Sequence, residues 1–264
     1  MVQKLSLELF SSYVHHIYEQ ERNNLIDPTE VVRDTVLYKP EVRDLYRLYN
    51  FVIDNCVISI LEFGSGWSTL ALSMGLEFNN YNLKAVYTGY KRNPNSFRLC
   101  SVDSSKFFSD KAVNRLSENQ RNLVDVFIST PYLNKFQGYP ISTWEPVPRF
   151  DFDLIYLDAP EPEQIVVEGT ALPMSTLYDL PIAGDICINE PYILPNASII
   201  VDGRTANVRF LKSKLYRNWS VKNYEAQDVS VFYLDEQPLG SINEAHISFR
   251  KKFAKKGKLN NIFI

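Results

Sequence analysis

The residues from Glu62 to Ser68, which read EFGSGWS, have the types and spacing expected of a ligand-binding turn. Two glycines let the backbone turn tightly and let a ligand approach the main chain. The helical pattern that begins after Gly66 would present free N–H groups and the positive end of its dipole to a ligand. Taken alone, this spacing is also that of an ordinary turn between a strand and a helix.

Two carboxylates follow later apolar runs in the same way. Asp103 comes after FRLCSV, and Asp158 comes after FDLIYL. A carboxylate at the end of a strand can accept hydrogen bonds from both hydroxyls of a ribose. Asp103 is equally well placed to cap the following helix. Asp158 precedes Ala159-Pro160 and is equally well placed to form a turn. Both alternatives stay open for each residue.

The elements that would position these residues alternate between apolar runs and helical patterns. Such alternation predicts a parallel sheet with helices on both faces. The stretch SVKNYEAQDVSVFYL reads as two further strands with a short connection. We therefore predict an α/β fold: a Rossmann-like, seven-stranded, mostly parallel sheet with an antiparallel C-terminal hairpin and an N-terminal helical cap. The five runs of strand type are residues 57–63, 97–103, 124–130, 152–158 and 197–203.

The chain divides into an N-terminal helical cap (1–56), an α/β domain (57–240) and a basic C-terminal tail (241–264). In the cap, Asp27-Pro28-Thr29-Glu30 predicts the start of one helix, and Pro40 predicts the restart of another. Residues 79–95 and 161–195 lengthen two connections. Because long connections at this edge of an α/β sheet are usually functional, we expect residues 161–195 and the cap to shape the ligand site.

Composition excludes several classes of protein. The net charge of -3 gives no general attraction to nucleic acid, and no apolar run is long enough for a bilayer or a signal peptide. Three distant cysteines favour reduced thiols in the cytoplasm. From His246 onward there are six basic residues and no acidic one. We interpret this tail as a solvated terminus; contact with phosphate-bearing partners and docking at a subunit interface are the alternatives.

Four motifs, in order, resemble those of class I S-adenosylmethionine-dependent methyltransferases. LEFGSGWSTL is similar to the first motif, in which an acidic residue and G-x-G end the first strand. LCSVD is similar to the second motif and FDLIYLDAP to the fourth. ASIIVDGR resembles the fifth strand of the small-molecule O-methyltransferase branch. The resemblance covers residues 57–234, and the order and spacing are more specific than any single motif.

The resemblance implies S-adenosylmethionine as cofactor and assigns roles to residues of this chain. Asp103 would hold the ribose, and Asp158 would face the methionine amino group or the substrate. Asp158 and Asp202 are the implied catalytic residues. The methionine part would be surrounded by Glu62, Gly64, Ser65, Gly66 and Ser68, and adenine contacts would come from Ser104, Ser129 and Thr130.

A divalent metal is the less favoured extension of this resemblance. In the metal-dependent O-methyltransferases, carboxylates after the fourth and fifth strands hold the cation, and Asp158 and Asp202 match those positions. However, Gly203 replaces the usual Asn and no lysine follows Asp158. We therefore predict no metal ligands and keep Mg²⁺ as an alternative. Arg204 is expected to pair with Asp202, with binding of a substrate anion as its alternative.

The sequence thus predicts a methyltransferase that acts on an oxygen or nitrogen of a small molecule or sugar-like metabolite. A nucleic-acid or protein methyltransferase and a non-catalytic binding module of the same fold are the alternatives. A dinucleotide site is disfavoured because Thr69 stands where the third glycine would be required. We expect a small-molecule partner, no membrane and no nucleic acid; a homodimer is an open alternative.

Overall fold

The computed structural model describes residues 3–24, 38–87, 96–160, 164–166, 182 and 184–255. Nine strands form a seven-stranded sheet and a separate two-stranded sheet within these residues. The strands are β1 (Ser59–Phe63), β2 (Arg98–Asp103), β3 (Val124–Ile128), β4 (Thr130–Phe136), β5 (Tyr139–Glu145), β6 (Leu154–Leu157), β7 (Ser198–Asp202), β8 (Trp219–Tyr224) and β9 (Val229–Leu234).

The larger sheet has the order β3-β2-β1-β6-β7-β9-β8. Strands β1, β2, β3, β6 and β7 are parallel, whereas β9 runs antiparallel to both β7 and β8. Every residue of β1 and β6 is buried, as expected of central parallel strands covered on both faces. The predicted Rossmann-like, seven-stranded, mostly parallel sheet with an antiparallel C-terminal hairpin is confirmed.

Helices pack on both faces of this sheet. At the N-terminus, Phe10 and Val14 of the first helix are buried, and Phe10 contacts the ring of Tyr49 in the second helix. The second helix begins two residues after Pro40, as predicted, whereas the predicted start at Asp27-Pro28 lies outside the described residues. The helices are α1 (Leu7–Asn23), α2 (Val42–Asp54), α3 (Trp67–Leu83), α4 (Lys106–Asn114), α5 (Glu118–Arg121), α6 (Asp185–Ile188), α7 (Thr205–Lys214) and α8 (Ser241–Phe253).

The third strand is shorter than predicted, and a hairpin follows it. β3 ends at Ile128, because its neighbour β2 ends at the paired residue Asp103 and offers no further ladder partner. The Ser129 amide donates to the Asp103 carbonyl oxygen over 2.9 Å, and the chain then enters the hairpin of β4 and β5. Gln137 and Gly138 both have positive φ at its turn, which matches the right-handed twist of the strands.

The prediction of a solvated basic tail is wrong for residues 241–255. They include α8, in which His246 and Arg250 are 2% and 1% exposed. The Arg250 guanidinium donates to Asp153 Oδ1 over 2.8 Å, and His246 Nε2 lies 2.7 Å from the same oxygen. Asp153 directly precedes β6, so a buried carboxylate beneath the sheet binds this part of the tail. Residues 256–264 lie outside the described part of the chain.

The structure also bears on the predictions about the three cysteines and about a membrane span. The three cysteines are buried, unpaired thiols whose pKa values burial raises to about 12, consistent with small core residues. Among the described residues, no helix combines the length and the apolar character needed to cross a bilayer.

Candidate functional site

The turn after β1 requires glycine at its first position. Gly64 has φ +102°, and a Cβ built on it would lie 2.7 Å from the Cβ of Ala159. Gly66 has an extended backbone with φ -172°, and a Cβ there would meet no atom within 4 Å. Gly64 is therefore required by the close approach of the chain after β6, whereas Gly66 borders open space. Gly66, the N-cap residue of α3, has no side chain that could accept a hydrogen bond from the first N–H groups of this helix.

The buried side chain of Glu62 stabilises this turn through hydrogen bonds. Its buried carboxylate accepts hydrogen bonds from the hydroxyls of Ser68 (2.6 Å), Thr69 (2.7 Å) and Ser101 (2.7 Å). The Thr69 hydroxyl oxygen in turn accepts the Gly66 N–H over 2.9 Å. Burial raises the pKa of Glu62 to about 7, although the three hydroxyl donors oppose the increase. The Glu62 side chain is fully buried and does not line the cavity, and its implied contact with the methionine part of the cofactor stays a prediction.

Asp103 joins the glycine turn to the start of α4. Its Oδ2 accepts the Ser65 N–H and its Oδ1 accepts the Ser105 N–H, each over 2.7 Å. Burial raises the pKa of this carboxyl group. The N-cap of α4 is Ser105, whose hydroxyl accepts the Phe108 N–H, so that Asp103 does not have the alternative role of N-cap. Asp103 instead faces a cavity.

The cavity has a volume of about 460 Å³, within the usual range of small-molecule sites. It lies at the carboxyl ends of β1, β2, β6 and β7. Ser104 and Ser129 are not among its lining residues; the buried Ser129 hydroxyl has no hydrogen-bond partner among the described residues. The predicted site residues that do line the cavity are Gly64, Ser65, Gly66, Ser68, Asp103, Asp158 and Asp202.

Two walls of the cavity were not predicted residue by residue. One comes from the cap, including Tyr38, Asp44 and Leu48, which agrees with the expectation that the cap shapes the site. The other comes from α3 and α4, with Trp67 at the start of α3 and Arg115 just after α4. Lys111 and Arg115 are four residues apart and therefore share a helix face, a signal that the sequence contains. Nothing local in the sequence indicates which residue Arg115 contacts.

The remaining carboxylates are held by neighbouring side chains. The buried Tyr156 hydroxyl donates to Asp202 Oδ2 over 2.6 Å. Arg204 was expected to pair with Asp202, but its guanidinium lies 3.7 Å from Asp158 Oδ1 and donates to the Asp158 carbonyl oxygen. Burial raises the pKa of Asp202, and Asp44 adds to the increase, whereas Tyr156 and Arg204 oppose it.

Asp158 and Asp202, the two carboxylates that the resemblance implies for a cation, both line this end of the cavity. Mg²⁺ takes near-octahedral oxygen ligands but usually keeps several waters, so that one or two carboxylates can hold it. Among the described residues, no group of three or more His, Cys, Asp or Glu side chains could hold a metal ion. Asp158 has a guanidinium beside it and Asp202 accepts a phenol hydroxyl, so both carboxylates are already engaged.

Comparisons with known proteins give structural likeness only. No protein-family model and no curated protein matches the sequence. The structure is similar to the O-methyltransferase TomG from Streptomyces achromogenes, solved with SAM, at 14% identity and TM-score 0.47, covering 89% of this chain and 92% of that one. It is also similar to an O-methyltransferase from Bacillus cereus, solved with SAH, at 13% identity and TM-score 0.45, covering 89% of this chain and 93% of that one. A third similar structure is the SAH-bound methyltransferase PaMTH1 of Podospora anserina, at 12% identity and TM-score 0.46, covering 89% of this chain and 99% of that one. The fold assignment therefore rests on the strand order.

Proposed function

We propose that this protein is an S-adenosylmethionine-dependent methyltransferase that acts on an oxygen or nitrogen of a small molecule or sugar-like metabolite. The observation that carries the proposal is the convergence of the Gly64–Gly66 turn, Asp103 and Asp158 on one cavity. Its position at the carboxyl edge of the sheet is the usual ligand position in an open α/β fold. Its volume of about 460 Å³ lies in the usual range of small-molecule sites.

The glycine turn and α3 fit the methionine end of the cofactor. The absence of a side-chain cap leaves the first amides of α3 available to a carboxylate, which the helix dipole also favours. The open space at Gly66 lets a ligand lie against the main chain. Ser65 and Ser68 border the same space, although the Ser68 hydroxyl donates to Glu62. The proposed role of Glu62 is to hold the turn in this conformation.

Asp103 fits the ribose and the end of β3 fits the adenine. The Asp103 carboxylate accepts the Ser65 and Ser105 N–H groups and retains acceptor capacity for a hydroxyl. The buried Ser129 hydroxyl does not line the cavity, and its proposed adenine contact stays a prediction. Ser104 and Thr130 keep their proposed adenine contacts as predictions. Asp158, which lines the cavity beside Ala159, is proposed for the methionine amino group or the acceptor.

S-adenosylmethionine supplies a methyl group that is already activated by its sulfonium. The residues of this chain therefore need to align the acceptor and to exclude water. Where the acceptor must lose a proton, we propose Asp202 as the base, because it lines the cavity and the Tyr156 hydroxyl fixes its orientation. No step of this mechanism requires a metal ion.

Binding of S-adenosylhomocysteine, the demethylated product, tests the proposal directly. The ligand is expected to raise the melting temperature of the wild type through linkage. Asp103→Asn is expected to raise its Kd at least about tenfold, the effect of losing a charge-assisted hydrogen bond. Asp110→Asn, at an exposed carboxylate of α4, is the matched control and should leave Kd unchanged. If neither SAM nor SAH binds the wild type, the non-catalytic interaction module is favoured instead.

A labelled-methyl screen against metabolite and RNA pools would identify the acceptor class. Transfer to small molecules alone is the expected result, and transfer to RNA would favour the nucleic-acid alternative. We place the protein in the cytoplasm on the basis of its three unpaired, buried thiols. A homodimer stays a prediction that light scattering can test.

A further inference from the structure

Arg115 connects the N-terminal helix to the cavity. Its Nε donates to Glu21 Oε1 over 2.7 Å, and its NH2 group donates to Glu21 Oε2 over 3.0 Å. This is a two-point ion pair between residues 94 positions apart, and the Arg115 side chain is only 6% exposed. Glu21 lies in the last turn of α1. The contact therefore ties α1 to the element that follows the ribose carboxylate Asp103.

The same guanidinium also covers an aromatic wall of the cavity. Its central carbon lies 3.9 Å from the centre of the Trp67 ring, a distance at which a cation and an aromatic face attract each other. The Trp67 indole N–H donates to the Tyr38 carbonyl oxygen over 2.9 Å. One face and the polar edge of the ring are therefore fixed by two different parts of the chain. Trp67, Arg115 and Tyr38 all line the cavity.

Trp67 directly follows Gly66 and is the first residue of α3. Its orientation is therefore coupled to the backbone amides that we assign to the methionine carboxylate. A ring that is already held in place loses little freedom when a ligand binds beside it, and preorganisation of this kind increases affinity. Without Glu21, the buried Arg115 cation would lose its counter-charge and would favour a position closer to solvent.

We propose that Glu21 and Arg115 are positioning residues for the cofactor: their ion pair holds the guanidinium on Trp67 and so fixes the wall beside the glycine turn. Neither residue is assigned a contact with the reacting atoms. The inference rests on the proposed function, since it concerns the same cavity. It goes further by making cofactor affinity depend on the docking of α1.

The test measures the Kd of SAH by calorimetry, together with the melting temperature without ligand. Glu21→Gln and Arg115→Gln are each expected to raise Kd at least about fivefold, the lower end of typical coupling between sites. The double variant should bind no more weakly than Arg115→Gln alone, because Glu21 acts through Arg115. Glu19→Gln is the matched control: Glu19 pairs with Arg22 on the same helix in an exposed ion pair, and Kd should not change.

The outcomes separate this inference from the proposed function. If the wild type binds neither SAM nor SAH, both are wrong. If the wild type binds but Glu21→Gln keeps its Kd while its melting temperature falls, the ion pair only stabilises the fold and the inference is overturned. Tighter binding by Glu21→Gln would also overturn it. If Arg115→Gln does not fold, Arg115→Lys, which keeps the charge but not the two-point contact, must show the same increase in Kd.

Discussion

Replacing Asp153 with Asn is expected to destabilise the protein by about 3–5 kcal/mol, the usual cost of leaving a buried charge without its partner. Asp153 and Arg250 are each 1% exposed. Asp153 Oδ1 accepts a hydrogen bond from the Arg250 guanidinium and lies within hydrogen-bonding distance of His246 Nε2. Asp153 Oδ2 accepts the Ile58 N–H over 3.0 Å. The substitution keeps the size of the side chain and removes its negative charge. The Arg250 guanidinium would then remain buried without a counter-charge.

The loss should depend on pH in a defined direction. Burial alone would raise the pKa of Asp153, but Arg250 and His246 outweigh it and hold the pKa well below the ordinary value of 3.8. The unfolded chain therefore takes up a proton near pH 3.8 while the folded protein does not. The stability contributed by Asp153 is complete above this pH and is lost as the pH falls further toward the folded pKa. The difference between wild type and Asp153→Asn should shrink in that acidic range.

Urea unfolding followed by circular dichroism measures both effects, near neutral pH and between about pH 5 and pH 3. Asp110→Asn, which removes an exposed partner of Lys106, is the control and should cost about 0–1 kcal/mol. The double variant Asp153→Asn/Arg250→Met should recover part of the loss, since no lone charge remains buried. If Asp153→Asn costs no more than the control, or if the double variant loses the sum of both single effects, the reasoning is refuted.

Three other substitutions test the glycine turn and its support. Gly64→Ala should cost about 1–3 kcal/mol in thermal unfolding, because φ is +102° and the new Cβ would lie 2.7 Å from Ala159; wild-type stability would contradict this. Gly66→Ala should fold normally, since its Cβ meets no atom, but should weaken SAH binding; equal affinity would show that no ligand approaches there. Glu62 has a folded pKa of about 7 against an ordinary 4.5, so wild-type stability should fall as pH rises through this range. Denaturation of Glu62→Gln across the same range should lack this fall, and an identical pH profile would contradict the assignment.

The mostly parallel sheet and the sheet edge that bears the cavity were accessible from the sequence because both depend on local signals. Continuous apolar runs identify the central strands, and the parallel arrangement brings their carboxyl ends to one edge. Gly64, Asp103 and Asp158 follow such runs directly, so their convergence could be expected before any coordinates. The adjacent position of Trp67 could also be noted, although its partner could not.

The parts that were missed depend on contacts between distant residues. Arg115 and Glu21 are 94 positions apart, and Arg250 and Asp153 are 97 apart. The residues around Arg250 in the sequence do not indicate that it contacts a buried carboxylate far away in the chain. The β4–β5 hairpin had a usable signal in Gln137-Gly138, a pair suited to a tight turn, but Pro131 weakened the strand pattern around it. The burial of the Glu62 side chain could not be predicted either, because a motif gives the position of a residue in the sequence and not the direction of its side chain.

The buried ion pair between Asp153 and Arg250 also has a consequence for folding during synthesis. Asp153 emerges long before Arg250, so a nascent chain that has already assembled its central strands still contains a carboxylate without its cation. Release of α8 from the exit tunnel completes the pair. The sheet is thus expected to reach its full stability only after residue 250 has emerged, and chains shortened before residue 250 should be less stable and more readily proteolysed.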